Sequence, residues 1–292
     1  MSPLLELALG AFRVVLYIGY VLLAGILTFW VLVWPEGSTE RRLVLMTGLG
    51  TALMILSTIA GPALQLLFGA GSPGDAVTRL SGAALIVRLA ALAFMGFFLV
   101  DLVRAAITGW RRLAAIVVVA LIAATLVVQP NAVGGPWQLV KIIATSGHVL
   151  ATAAWLGGLL ALAAVLITHQ NLKELDWLIP AFSVVATFSV ITLVVTGCVQ
   201  ALAIAGGFIP LVTSRYGLVL FIKVVLFGVM LVLGNRGRRY AARVAFRRVN
   251  PLADSANRAG IHRLAVVMGG EVALALVILV TTSLLVLAAP AP

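Results

Sequence analysis

The sequence has few of the charged side chains that a water-soluble protein needs at its surface. Only 10% of its 292 residues are charged and 63% are hydrophobic, whereas soluble domains average about 25% charged residues. So few polar groups exclude a soluble globule, and apolar stretches of about 20 residues match a bilayer core about 30 Å thick. The composition predicts an all-α, polytopic membrane protein that forms a single transmembrane domain over residues 1–292.

Cysteine and acidic residues are also scarce. The single cysteine, Cys198, excludes a disulfide within the chain and any metal cage made only of cysteine. The net charge of +11 would suggest nucleic acid in a soluble protein, but its distribution here indicates membrane topology, so no nucleic-acid partner is predicted. No nucleophile–base triad, phosphate loop or HExxH motif occurs, and we therefore do not expect an enzyme.

Apolar runs between charges and Gly/Pro clusters predict eight membrane spans. Their bounds are residues 4–34, 43–68, 80–103, 113–128, 137–168, 177–205, 216–235 and 264–289. The first span has no basic segment before it and no small-residue cleavage site after it. We therefore interpret it as a retained helix rather than a signal peptide.

Lysine and arginine are concentrated in alternate connections between these spans. The first, third, fifth and seventh connections are basic, whereas the second, fourth and sixth contain only Arg79 and Arg215. Because basic loops stay in the cytoplasm, this bias predicts that both termini lie outside a cytoplasmic (inner) membrane. The longest loop, residues 236–263, is expected to be cytoplasmic and to include a basic amphipathic helix around residues 238–248 on anionic membrane lipids.

Ionisable residues inside the spans are informative, because each costs several kcal/mol unless it is paired, hydrated or functional. Four cations fall in the predicted outer half of the membrane: Arg13, Arg88, Lys141 and Lys223. Glu271 lies about 10 Å from the inner end of the last span. We predict that it pairs with Lys223 near mid-membrane as a structural or gating ion pair. Asp101 is expected at the inner interface.

The fifth span carries a polar stripe around the histidine of greatest interest. Residues at spacings of 4, 3, 4 and 3 share one face of a helix, and this stripe consists of Lys141, Thr145, His148, Thr152 and Trp155. Small residues on another side of the same helix, Ala153, Gly157 and Ala161, predict close approach of a neighbouring helix. The fifth span is therefore expected to be central.

The sixth span carries a second polar stripe, made of Ser189, Thr192, Thr196 and Gln200. Buried hydroxyls often bond the carbonyl four residues earlier, so these side chains are also compatible with packing alone. His148 has two interpretations, a neutral imidazole hydrogen-bonded between helices or a ligand or proton relay. Sulfur groups at similar predicted depth make weaker candidate copper ligands, since thioether and thiol sulfur with imidazole suit Cu(I): Met54, Met95, Met230 and Cys198.

Several strings resemble a known family. The string Gly147-His148-Val149-Leu150-Ala151-Thr152-Ala153-Ala154-Trp155-Leu156-Gly157-Gly158-Leu159 is similar to the central segment of the CopD copper-resistance and copper-uptake membrane family. Later strings resemble its C-terminal core: Phe182-Ser183, Thr196-Gly197, Leu211-Val212-Thr213-Ser214-Arg215-Tyr216-Gly217, Lys223, Asn235-Arg236, Glu271 and Thr281. The resemblance runs from about Lys141 to the end of the chain.

The resemblance implies an eight-helix membrane protein that handles copper, which is transported or transiently bound. It also implies a separate CopC-like periplasmic or extracellular carrier as partner, because this chain leaves no room for a fused one. The residues carried over are His148, Trp155, Tyr216, Lys223 and Glu271. The leading hypothesis is a transporter moving copper inward, with His148 as a transient ligand.

The buried cations oppose this hypothesis, because four cations against one acid in the membrane repel a copper cation. They favour an anionic occupant of the outer side, such as a quinone, haem propionates, a lipid headgroup or an anionic metal complex. Two alternatives therefore stay open, a haem- or quinone-linked redox protein and an accessory subunit of a larger membrane complex. A haem held by two histidines needs both at one depth, whereas His169 and His262 are expected at the inner ends of the fifth and eighth spans and His148 much deeper. A haem with one histidine ligand therefore also stays open.

Overall fold

The structure, a computed structural model, describes residues 3–68, 80–102, 104, 107–127, 138–169, 172–205, 208–247 and scattered positions between 269 and 281. Throughout these residues the regular structure is helical, without a strand. The α-helices are α1 (Pro3–Leu32), α2 (Arg41–Leu67), α3 (Leu80–Leu102), α4 (Trp110–Val127), α5 (Gln138–His169), α6 (Leu172–Ala205), α7 (Phe208–Thr213) and α8 (Arg215–Arg247). A 3₁₀ turn, Pro35–Thr39, joins α1 to α2. The predicted all-α polytopic bundle is confirmed.

Seven of these helices are long and apolar enough to cross a bilayer, and only the six-residue α7 is not. Their order follows the predicted first seven spans. The predicted eighth span, 264–289, is described only at scattered positions from Gly269 to Thr281, which are helical. Among them Ala275 lies in the hydrophobic core, with Leu274 and Ile278 packed against it. We call these positions the final segment.

Helix α1 lies at the centre of the first half of the bundle. Its second half is almost completely buried, with Leu23, Ile26, Leu27 and Trp30 all 0% exposed. It packs along α2 on one side and along α5 on another. The central position that the sequence predicts for the fifth span is thus shared with the first.

Glycines allow α1 to approach both neighbours closely. A Cβ added at Gly25 would overlap the Gly157 Cα and the Ala153 carbonyl, and one added at Gly157 would be 2.5 Å from the Gly25 Cα. On the other side, a Cβ at Gly50 would lie 2.7 Å from the Gly19 carbonyl oxygen. The small residues of α5 therefore do what their spacing predicts, and the helix that approaches them is α1.

Helix α8 begins at a serine cap and runs further than predicted. The Ser214 hydroxyl accepts a hydrogen bond from the Gly217 amide at 3.2 Å, which satisfies a free N–H group of the first turn. From there 33 residues form one helix to Arg247, about 50 Å long at 1.5 Å per residue. The basic stretch expected to be helical around 238–248 continues this helix directly up to Arg247, and the rest of the predicted loop lies outside the described residues.

Candidate functional site

His148 lies between α5 and α6. Its Nδ1 atom is 3.0 Å from the Thr196 hydroxyl. The ring packs beside Gly197, where an added Cβ would be in ordinary van der Waals contact with His148 Cε1 at 3.6 Å. A second link between the same helices, from Gln200 Nε2 to the Ala144 carbonyl at 3.3 Å, lies further along. The helix that faces His148, which the sequence does not identify, is α6.

The hydrogen bonds around Thr196 favour the imidazole tautomer that carries the proton on Nδ1. The Thr196 hydroxyl donates to the Thr192 carbonyl at 2.6 Å, and a hydroxyl has only one hydrogen to give. When that hydrogen is given to Thr192, the hydroxyl accepts the Nδ1–H of His148. In a neutral imidazole this arrangement leaves the lone pair on Nε2. The contact thus orients the ring and leaves Nε2 as the atom able to bind a proton or a metal.

Helix α8 brings a charge and a ring toward this site. The Lys223 ammonium is close enough to His148 for their charges to interact. One end of the α5 stripe is fixed by Trp155, which is 7% exposed and meets Phe227 edge to face, with ring centroids 5.5 Å apart. The site therefore combines one imidazole from α5, hydroxyls from α6 and an ammonium from α8.

Other members of the two polar stripes bond their own helices or remain partly exposed. Thr152 donates to the His148 carbonyl at 2.8 Å, and Thr192 donates to the Phe188 carbonyl at 2.9 Å. Lys141 and Thr145 are half-buried, and Ser189 is buried. These hydroxyls act within their own helices, as the packing interpretation predicts.

Of the four sulfur groups predicted as weaker copper ligands, three are packed in the hydrophobic core and one is exposed. Met54 and Met95 are each 0% exposed, Met230 is 1% exposed, and all three belong to the hydrophobic core. Met54 packs against Gly19 of α1. Cys198 is exposed. Within the part of the chain that the structure describes, no three His, Cys, Asp or Glu side chains gather as a metal site.

Lys223 and Glu271, predicted to pair, lie at different levels. The Glu271 carboxylate is 3.7 Å from a Cβ built at Gly234. Gly234 lies eleven residues, about 16 Å, along α8 from Lys223. Among the described side chains no ion pair joins the two. Glu271 is instead buried, at 4% exposure, toward the other end of α8.

Two further predicted residues lie near the ends of their helices. Asp101 forms an ion pair with Arg111 across the α3–α4 connection: Arg111 Nη2 donates to Oδ1 at 3.0 Å, and Nε lies 2.9 Å from Oδ2. This bidentate pair places Asp101 near the helix end, as expected for an interfacial residue. Tyr216 is 3% exposed in the first turn of α8.

The two N-terminal cations lie in a separate cluster. Arg88 of α3 donates from Nε to the Thr125 hydroxyl at 3.0 Å and from Nη2 to the Thr125 carbonyl at 2.5 Å. Tyr17 of α1 is close enough to both Arg13 and Arg88 for its phenol to interact with their charges. Sequence reasoning identified the arginines but missed Tyr17 and Thr125. Tyr17 lies one turn after Arg13, and this spacing is a signal that could have identified it.

The position of a second histidine bears on the haem alternative. His169 ends α5, 21 residues after His148, which is about 32 Å along the same helix. These two histidines cannot hold one haem between them. His262 lies outside the described residues.

Comparison with known families supports the resemblance for the C-terminal part of the chain. Residues 177–285 match the family model of copper resistance protein D, CopD. This segment is similar to the CopD family. Comparison with curated proteins and with solved structures gave no significant match.

The CopD match contains α6 from Trp177 onward and α8, and so Thr196 and Lys223, but it begins after His148. The match is to a family of copper resistance proteins, and seven helices of this chain are long and apolar enough to cross a membrane. The CopD segment therefore supplies two of the three groups at the His148 site, and the preceding helix supplies the imidazole.

Proposed function

We propose that this chain is a copper transporter of the cytoplasmic membrane that moves copper inward, with His148 Nε2 as a transient ligand. The observation that carries the proposal is the CopD match over residues 177–285. Thr196, the residue that orients the imidazole, lies inside that match. In this proposal a separate CopC-like carrier delivers copper at the outer face, where both termini of the chain lie.

The surroundings of His148 support transit of copper rather than storage. Imidazole suits Cu(I), and the hydrogen bond to Thr196 makes Nε2 available to it. The nearby Lys223 ammonium repels a cation at the same place. A single nitrogen ligand opposed by a positive charge favours a short residence time. Copper bound there is thus easily passed on, which a transport pathway requires.

Copper uptake into proteoliposomes tests the proposal. Full-length protein would be reconstituted, Cu(I) supplied outside under reducing conditions, and copper inside measured by mass spectrometry. We expect His148→Ala to lower the initial rate at least tenfold. Thr196→Val should lower it about tenfold, because groups that orient a metal ligand typically contribute 10–100-fold in metal affinity or activity. Thr196→Ser keeps the hydroxyl and should behave as the wild type.

His169→Ala is the matched control, since this histidine lies at the far end of the same helix. If His148→Ala transports as well as the wild type does, the ligand role is lost. If no variant and no wild-type sample moves copper, the transport proposal fails. A Soret band in the purified protein would instead favour the haem-linked alternative, and stable co-purification with other chains would favour an accessory subunit.

A further inference from the structure

The cluster formed by Arg13, Tyr17, Arg88 and Thr125 is distinct from the copper site. Its members come from α1, α3 and α4. Thr125 donates its own hydroxyl hydrogen to the Ile122 carbonyl at 2.7 Å. Its hydroxyl oxygen is therefore committed to accepting from Arg88, as its carbonyl oxygen also does. These bonds fix the position of the guanidinium inside the bundle.

Only one edge of the Arg88 guanidinium is used. The group has five N–H donors in a planar fork, and Thr125 takes the Nε–H and one N–H of Nη2. The opposite edge, Nη1 with the second N–H of Nη2, has no partner among the described residues. Such an edge fits two oxygens of a phosphate or carboxylate. The second edge of the fixed Arg88 guanidinium is therefore available to an anion.

Positive charge in this cluster is not balanced by the described side chains. The ion pair that the structure records, Arg111 with Asp101, is at the other end of α3, since Asp101 lies thirteen residues, about 20 Å, from Arg88. Arg13 is half-buried and also close to Tyr17. Two guanidinium groups around one phenol, inside a membrane bundle, favour a bound anion that offsets their charge.

Hydroxyl groups of α2 lie at the same level. Gly19 packs against Gly50 and Met54, and α2 runs back along α1, so residues 57 and 58 are level with the turn that holds Arg13. The hydroxyls of Ser57 and Thr58 are buried without a hydrogen-bond partner in the described structure. They add hydroxyl groups with unsatisfied hydrogen bonds at the depth of the cluster.

The position of the cluster indicates how the anion is carried. Arg13 and Arg88 each lie six residues, about 9 Å, from the first residue of their apolar spans, Leu7 and Gly82. Because successive spans alternate in direction, these two ends are on the same side of the membrane. Next to Arg88, Ile86 and Val87 are 56% and 38% exposed, so an acyl chain could lie along α3 beside the guanidinium.

We propose that Arg13, Tyr17 and Arg88 form an intramembrane site for a phosphate group, carried by an anionic membrane lipid whose acyl chains lie along α3. Arg88 binds two phosphate oxygens through its open edge, Tyr17 donates its hydroxyl, and Arg13 supplies the second positive charge. The proposal does not depend on copper transport.

Native mass spectrometry of the delipidated full-length protein tests this site. The probes are dioleoyl phosphatidylglycerol, its zwitterionic phosphatidylcholine counterpart, and inorganic phosphate. We expect phosphatidylglycerol to bind the wild type at least tenfold more tightly than phosphatidylcholine. Arg88→Gln and Arg13→Gln should each remove this preference. Arg42→Gln, at an exposed arginine on the opposite side of the membrane, is the matched control and should keep it.

Arg13→Gln guards against a folding artefact, because Arg13 makes no hydrogen bond to another described residue and its loss should leave the packing intact. If inorganic phosphate binds with the same dependence on Arg13 and Arg88 while phosphatidylglycerol shows no preference, the anion site stands with a free anion as its ligand. If both probes bind the wild type and the two variants equally, the proposal is overturned.

Discussion

The imidazole of His148 is useful as a ligand because a neighbouring hydroxyl fixes its proton. Thr196 gives its single hydrogen to the Thr192 carbonyl and so accepts from Nδ1. If Thr196 were free to rotate, either ring nitrogen could carry the proton. One hydroxyl on α6 thus favours one tautomer of a histidine on α5.

Lys223 is the residue whose removal should strengthen copper binding. In Lys223→Met the ammonium near His148 is replaced by a side chain of similar length without charge, and repulsion of a bound cation disappears. We expect copper to be held about tenfold more tightly, equivalent to ~1.4 kcal/mol, a modest value for two charges near a protein interior. Competition with a Cu(I)-specific chelator measures the change.

Lys141→Met is the control for Lys223→Met, since Lys141 lies two turns from His148 on the same helix and should leave affinity unchanged. Weaker copper binding in Lys223→Met would show that the ammonium supports the ligand rather than opposing it, and would contradict the transit mechanism. A tighter site with slower uptake is the combination that the mechanism predicts.

At the scale of the helices, the bundle is held together where backbones touch. Gly25 and Gly157 bring α1 against α5, and Gly19 and Gly50 bring α1 against α2. Lipid is as apolar as the helix faces, so burial of leucine gives little association and close backbone packing gives more. The spacing of Ala153, Gly157 and Ala161 predicted this approach, but it did not identify α1 as the partner.

A single added methyl group at Gly157 tests this contact. Gly157→Ala places a Cβ 2.5 Å from the Gly25 Cα. Because the contact is with backbone and not with a flexible side chain, α1 and α5 must separate to make room. We expect a loss of about 1–3 kcal/mol, the usual cost of overpacking, seen as a lower Tm in detergent. Gly96→Ala is the control, because a Cβ there has no neighbour within 4 Å. Equal Tm values for the two variants would contradict the contact.

The charges on the connections between helices predict the orientation of the whole molecule in the membrane. Basic residues in alternate loops place both termini outside. The order of the helices agrees with spans that alternate in direction. Thr108, between α3 and α4, and Thr213, at the end of α7, are exposed and belong to opposite sides.

Cysteine labelling of intact cells tests the orientation. In a Cys198→Ser background, Thr213→Cys should react with a membrane-impermeant maleimide, because its connection is predicted to lie outside. Thr108→Cys should react only after the membrane is opened, because its connection is predicted to be cytoplasmic. The reverse pattern would place both termini in the cytoplasm. Each variant serves as the control for the other.

The sequence alone determined the class of this protein, because a chain with so few charges can bury its apolar residues only in a bilayer. Composition predicted the bundle, and the strings from α6 onward predicted the similarity to CopD that the family model finds over 177–285. Periodicity also placed His148, Thr196 and Gln200 on polar faces, since side-chain direction along a helix depends on local spacing.

Only the tertiary structure decided which faces meet. Spacing does not encode how far two helices slide past each other, so the predicted pairing of Lys223 with Glu271 missed a separation of about 16 Å along α8. The same limit hid Tyr17 and Thr125, which join Arg13 and Arg88 only when three helices pack. Residues on one helix are related by its regular geometry, whereas residues on different helices are related only by packing.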